Sequence, residues 1–185
     1  MARGVLFMLE KWERFFDRLA DYIGYICGIA MVAMMLNIFY DVFMRYVFKN
    51  GSIAMQEMEW HLFAVIMMLG ITYALKEDSH VRVDVFYARF KPETKAMINI
   101  IGTIIFILPI ALLIVTGSLG FVQEAYVTNE ISMDPGGLTH RWIIKALIPL
   151  SFFLLLVMSI GFIIKNINLY RKHKQMPKGH EEVGL

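Results

Sequence analysis

The chain lacks nearly everything from which a soluble catalytic or metal-binding site is built. One cysteine, Cys27, in 185 residues excludes an intrachain disulfide and any CxxC redox or zinc site. Lying inside an apolar run, it reads as a helix-packing residue. No HExxH, P-loop, GxSxG or zinc-spaced Cys/His set occurs, so hydrolase and ATPase chemistry have no foothold. The net charge of +2 is too small to point to nucleic acid. Met1–Asp21 alternates charge with bulk and has no short apolar core followed by small residues, so no cleavable signal is expected there. Charged residues are scarce at 18% against 58% apolar. With a positive mean hydropathy, that balance excludes an ordinary soluble domain.

Long apolar runs are what the chain has instead. Residues 57–90 hold the clearest one: Glu57, Glu59, Trp60 and His61 open it, and Leu62–Leu75 carry no charge. Lys76, Glu77 and Asp78 close it. At ~1.5 Å per residue, Met58–Leu75 is about 27 Å long, enough for the hydrocarbon core. Similar runs predict four transmembrane helices over about 22–44, 58–75, 96–121 and 143–164. The fold class is an all-α integral membrane protein with amphipathic interfacial helices added. Residues 1–21 form the first of these, with Val5, Leu6, Leu9, Trp12, Phe15, Phe16 and Leu19 on one face and charges on the other. Residues 80–91 form the second, with Val83, Phe86, Tyr87 and Phe90 at helical spacing; membrane lipids are the expected partner of both. Residues 22–165 make one membrane domain and 166–185 a polar tail. Pro109 leaves the carbonyl of Ile105 without its helical donor, so a kink is expected in the third span. Gly102, Gly117 and Gly120 are expected to permit close helix approach there. Pro135-Gly136-Gly137 marks a turn in the 122–142 connection.

Fourteen of the eighteen Lys and Arg residues lie in the N-terminal segment, the loop between the second and third spans, and the tail. Both termini are therefore expected in the cytoplasm, with the 44–58 and 122–142 connections on the opposite side. Ionisable residues near spans deserve a functional question. Asp41 and Arg45 are spaced i,i+4, as in a local ion pair, and a structural pair is the favoured interpretation. Asp41 as the acid of a small proton-coupled exporter is the alternative. A membrane cytochrome b is another, because His61 and His140 fall at the same expected side and would clamp one haem there. Against transport by this chain alone, Asp41, Glu57, Glu59, Arg141 and Lys145 cluster near the outer helix ends. The middles of the second and fourth spans are smooth Leu, Ile, Met, Phe and Val.

The order of features resembles one family closely. Glu59 opening a helix, Leu69-Gly70, Tyr73-Ala74-Leu75, then His80-Val81-Arg82-Val83-Asp84, with Arg45-Tyr46 after the preceding helix, is similar to the small membrane subunit of tripartite ATP-independent periplasmic (TRAP) transporters. The family often has glycine where this chain has Ser79, which weakens a turn assignment there. The resemblance implies a bacterial inner-membrane protein that catalyses nothing and binds no cofactor or metal. It implies a large multi-span subunit as partner, carrying the substrate and sodium sites, and a periplasmic substrate-binding protein that delivers an organic acid. The chain would brace the large subunit while substrate moves by an elevator motion. Partner docking or internal bracing is then expected of Asp41, Arg45, Glu59, Trp60, His80, Arg82, Asp84, Arg141 and Lys145. Glu59, at the positive end of its helix dipole, is expected to pair with Arg45, Arg141 or Lys145. Arg82 is expected to meet lipid phosphate or a partner carboxylate.

Overall fold

The computed structural model describes the backbone of residues 2–76 and 90–175 and the side chains of residues 12–76 and 90–171. Within them the chain is helical, with no strand. A backbone that must cross hydrocarbon has to satisfy its N–H and C=O groups within each segment, and an α-helix does so. Helix α1 runs Ala2–Val47, α2 Ile53–Lys76, α3 Pro92–Val127 and α4 Trp142–Gln175. All four are long and apolar enough to span a membrane, and each extends past the limits read from the sequence.

The largest difference lies in α1. The segment expected as a separate interfacial helix is continuous with the first span, in one helix of 46 residues. At 1.5 Å per residue it is about 69 Å long, more than twice the thickness of a hydrocarbon core. Neither Gly nor Pro lies between Phe16 and Tyr22, so no residue there breaks the helical hydrogen bonding. The apolar face of its early turns also has an internal partner: Phe16 and Ala20 are buried in the core with Leu75, Leu155, Met158 and Phe162. The second expected interfacial helix, 80–91, lies mostly outside the described residues. The tail continues α4 as helix to Gln175.

Helix α3 absorbs its proline through a π-helical turn, Thr103–Ile107, directly before Leu108-Pro109. The Leu108 N–H reaches Thr103 O, five residues back. This widened turn sits where the missing Pro109 donor would otherwise interrupt a regular α-helix. Thr103 Oγ1 donates to Asn99 O at 2.7 Å at the start of the same turn.

Helices α1, α2 and α4 touch one another, and α3 is laid along α4. Helix α4 is thus central, yet only 33% of its most apolar stretch is buried, and only 11% of the corresponding stretch in each of α1 and α3. The close approaches are also not where the sequence placed them. No other residue stands within 4 Å of a methyl added at Gly102, Gly117 or Gly120; these glycines lie on a helix packed against a single neighbour. Two other glycines carry the tight contacts. A Cβ at Gly24 of α1 would stand 2.8 Å from the Tyr73 ring of α2, and one at Gly161 of α4 would stand 2.5 Å from Phe16 of α1.

Candidate functional site

The charged side chains gather at the two ends of the helices, and at the end that carries the α1–α2 turn and the α3–α4 loop they are organised by Glu57. Helix α1 ends at Val47, and Lys49 beyond it has a left-handed φ of 56°; the Phe48 and Asn50 N–H groups both donate to Met44 O. Asn37 Nδ2 of α1 donates to Met55 O at 2.9 Å, fixing the start of α2 against α1. Beneath this turn Asp41, only 2% exposed, accepts from Arg45 in an i,i+4 ion pair. A hollow of about 240 Å³ beside the pair is lined by Tyr40, Met44, Asn50, Ser52 and Met55.

The connection from α3 to α4 is a closed loop rather than a slack one. Helix α3 ends in a Schellman motif: Asn129, with φ 47°, donates to Tyr126 O, and Glu130 donates to Ala125 O. The two arms of the loop then pair through Ser132 N–H to Leu138 O at 3.0 Å and Arg141 N–H to Glu130 O at 3.1 Å. Asp134-Pro135-Gly136-Gly137 closes it as a β-turn, with Gly136 at φ 85° and Gly137 N–H donating to Asp134 O. Proline second and a positive-φ glycine third is the type II pattern.

Glu57 reaches from α2 into this loop. Its carboxylate accepts from Ser132 Oγ and, at 2.6 Å, from the Leu138 N–H. Gly137 leaves room for it; a Cβ there would lie 2.5 Å from Ser132 and 2.8 Å from Glu57 Oε2. Lys145 anchors the other side, paired with Glu130 and 3.9 Å from the Phe121 ring centroid. Tyr126 and Trp142 meet edge to face at 5.4 Å.

Glu59 is placed differently from the expectation. It has no hydrogen bond or ion pair among the described residues; of the three cations expected to meet it, Arg45 is taken by Asp41 and Lys145 by Glu130. Two residues on in a helix is a rotation of about 200°, so Glu57 and Glu59 cannot both face the loop. Trp60 is 73% exposed. Arg141 is half-buried at the foot of the loop. His61 Nδ1 lies 2.6 Å from Glu57 O, and His140 Nδ1 lies 2.8 Å from Thr139 Oγ1. His80, Arg82 and Asp84 lie outside the described residues.

At the opposite end of the helices Asp21 pairs with Lys76. Asn168 donates to Glu13 at 3.1 Å, and Asn99 donates to Asn166 at 2.9 Å. Between the two ends, the buried hydroxyls mostly serve backbone carbonyls, as with Ser159 Oγ to Leu155 O at 2.7 Å and Thr72 Oγ1 to Ser151 O at 3.4 Å. Among the described residues no three His, Cys, Asp or Glu side chains come together as a metal site. The arrangement is one of fixed ends and an apolar middle, suited to holding position in a membrane.

Comparison with known proteins agrees with that geometry. Residues 34–169 match the family described as "Tripartite ATP-independent periplasmic transporters, DctQ component". A protein of Haemophilus influenzae named as a TRAP transporter small permease protein is 28% identical over 160 residues, covering 85% of this chain and 98% of the relative. A second of the same name and organism is 22% identical over 159 residues, covering 85% of this chain and 91% of the relative. The chain belongs to the DctQ family, the small permease component of TRAP transporters.

Proposed function

We propose that this small permease subunit is a non-catalytic scaffold for the large transport subunit in sodium-coupled, binding-protein-dependent uptake of an organic acid. Sodium and substrate would bind the large subunit, and a periplasmic protein would deliver the substrate. The complex would sit in the bacterial inner membrane with both termini of this chain in the cytoplasm. One observation carries the proposal: the described ionisable side chains gather at the helix ends, with several paired inside the chain, while most of the apolar surface of α1 and α3 is uncovered. A carrier needs polar groups near the midplane; a scaffold needs apolar faces for its partner. Asp41, the acid that an exporter would use, is held by Arg45, which supports a structural role. Glu59, unpaired within the described chain, is well placed to meet a cation of the large subunit.

The test is co-purification of the three proteins together with uptake in reconstituted vesicles, normalised to intact complex. Glu59→Gln is expected to lower complex yield and uptake in proportion. The substrate and sodium concentrations for half-maximal rate should not move. Unchanged assembly with a shifted half-maximal concentration would overturn the scaffold assignment.

A further inference from the structure

At the inner end, where α3 begins and α4 leaves its apolar stretch, the two helices enclose a groove of about 370 Å³. Lys95 of α3 and Lys165 of α4 line it, together with the amides of Asn99 and Asn166. Ala96 and Phe162 give it an apolar wall. The amides form a tied floor: Asn99 Nδ2 donates to Asn166 Oδ1 at 2.9 Å, and Asn166 Nδ2 donates to Phe162 O at 2.8 Å. Lys165 is half-buried and makes no ion pair or hydrogen bond among the described residues. Glu13 and Asp17 of α1 face it from a second, smaller hollow on its other flank, with Lys76 among them. Glu13 is engaged by Asn168, and neither acid comes within ion-pair distance of Lys165. A half-buried ammonium with no direct ion-pair partner is poorly compensated unless an anion meets it. Helix α3 begins at this same end, without a side-chain cap from Lys91 and with Glu93 in its first turn, so the positive end of its dipole, partly offset by Glu93, lies here.

We propose that this groove binds the phosphodiester headgroup of an anionic phospholipid. The two ammonium groups and the dipole would meet the phosphate, with the glycerol and upper acyl carbons on the wall of Ala96 and Phe162. A soluble anion would have no use for that wall, and the groove lies at the ends of two apolar helices long enough to span a membrane. Basic pockets between transmembrane helices bind anionic headgroups by this chemistry. The site is independent of the transport assignment, since it uses only this chain.

The full chain, purified in detergent, is titrated with phosphatidylglycerol, phosphatidylcholine or inorganic phosphate and read by native mass spectrometry. One phosphatidylglycerol is expected to be retained in preference to phosphatidylcholine. Lys165→Gln should weaken it about fivefold, and Lys95→Gln with Lys165→Gln about 25-fold, at the usual contribution of each basic residue near a headgroup. Lys165→Arg should keep binding, and Lys49→Gln, exposed at the other end, should leave it unchanged. If Lys165→Gln does not fold, Lys95→Gln alone carries the test with the same fivefold loss. Equal retention of phosphatidylcholine, or a charge-neutral variant that binds like the wild type, would overturn the proposal. Displacement of the lipid by millimolar inorganic phosphate would assign the groove to a free anion and overturn it equally.

Discussion

Tyr73 belongs to the run of residues on which the sequence resemblance to the family rests, and its ring lies against Gly24. A methyl group at residue 24 would stand 2.8, 3.0 and 3.4 Å from Tyr73 Cε2, Cδ2 and Cζ. Carbon atoms pack best about 3.5–4.0 Å apart, so Gly24→Ala forces the ring or helix α1 back by about 1 Å. Overpacking of this kind typically costs about 1–3 kcal/mol. The obstructing atoms are all in the ring, which can swing about its own side-chain bonds, so the expected cost is in the lower part of that range. For a chain of this size that is a fall of about 2–8 °C in melting midpoint. In a Tyr73→Ala background all three obstructing atoms are gone. The added methyl should then be neutral within about 0.5 kcal/mol, or mildly favourable because alanine is the better helix former. Tyr73→Ala alone should destabilise, since it also removes the ring 5.9 Å from Lys76 Nζ. The lone thiol supplies the assay. Cys27 Sγ lies 3.9 Å from Ile66 O, between α1 and α2, so a thiol-reactive fluorophore reports separation of these two helices on heating. A Gly24→Ala midpoint equal to the wild type, or penalties that simply add in the double variant, would refute the contact as the fixer of α1 against α2.

Two further outcomes concern the α3–α4 loop and the orientation of the chain. Glu57→Gln should speed hydrogen exchange at the Leu138 amide and raise mobility of a spin label in the 128–141 loop, whereas Glu59→Gln should leave both unchanged; equal effects would mean that the loop is held by something other than the Glu57 carboxylate. For orientation, single cysteines at Asn50, Asn129 and Gly179 in a Cys27→Ala background are expected to react with an impermeant thiol reagent in intact cells at 50 and 129 only, and labelling at 179 with protection at the other two would reverse the proposed topology.

The helices were legible because long apolar runs leave the backbone few alternatives, and the Asp41–Arg45 pair was legible because both partners sit on one helix at i,i+4. The Pro135-Gly136-Gly137 turn was legible from residue chemistry. The choice between Glu57 and Glu59 was not. Both open the same helix, and what selects Glu57 is the closed loop 75 to 81 residues further along, which presents the Ser132 hydroxyl and the Leu138 N–H. The glycines show the same division. Gly102, Gly117 and Gly120 look equivalent to Gly24 and Gly161 in sequence, but only the latter two face a ring on a neighbouring helix. The continuity of helix α1 with its first turns was not legible for a related reason. An amphipathic face predicts burial against something, and periodicity does not say whether that is a membrane surface or, as Phe16 and Gly161 show, a helix 145 positions further along the chain.

The distribution of tight and loose contacts bears on how such a subunit would brace a partner. The α3–α4 loop is tied to α2 through Glu57 and to α4 through Lys145, and the opposite helix ends are tied through Asp21 with Lys76 and Glu13 with Asn168. Every one of these ties joins elements that are far apart in sequence or sit at opposite ends of a connection, so the helices cannot slide past one another without breaking charged or hydrogen-bonded contacts. Lateral cohesion is weaker: α3 is laid on α4 and leaves much of its surface uncovered. Lipid is as apolar as a leucine side chain, so uncovered apolar surface gives no hydrophobic drive toward another helix and only good packing holds helices together. A partner that packs along α1 or α3 would therefore meet little competition from the chain's own folding and would find helices already fixed in register. That combination, register set internally and faces left open, is what a static brace for a moving neighbour requires.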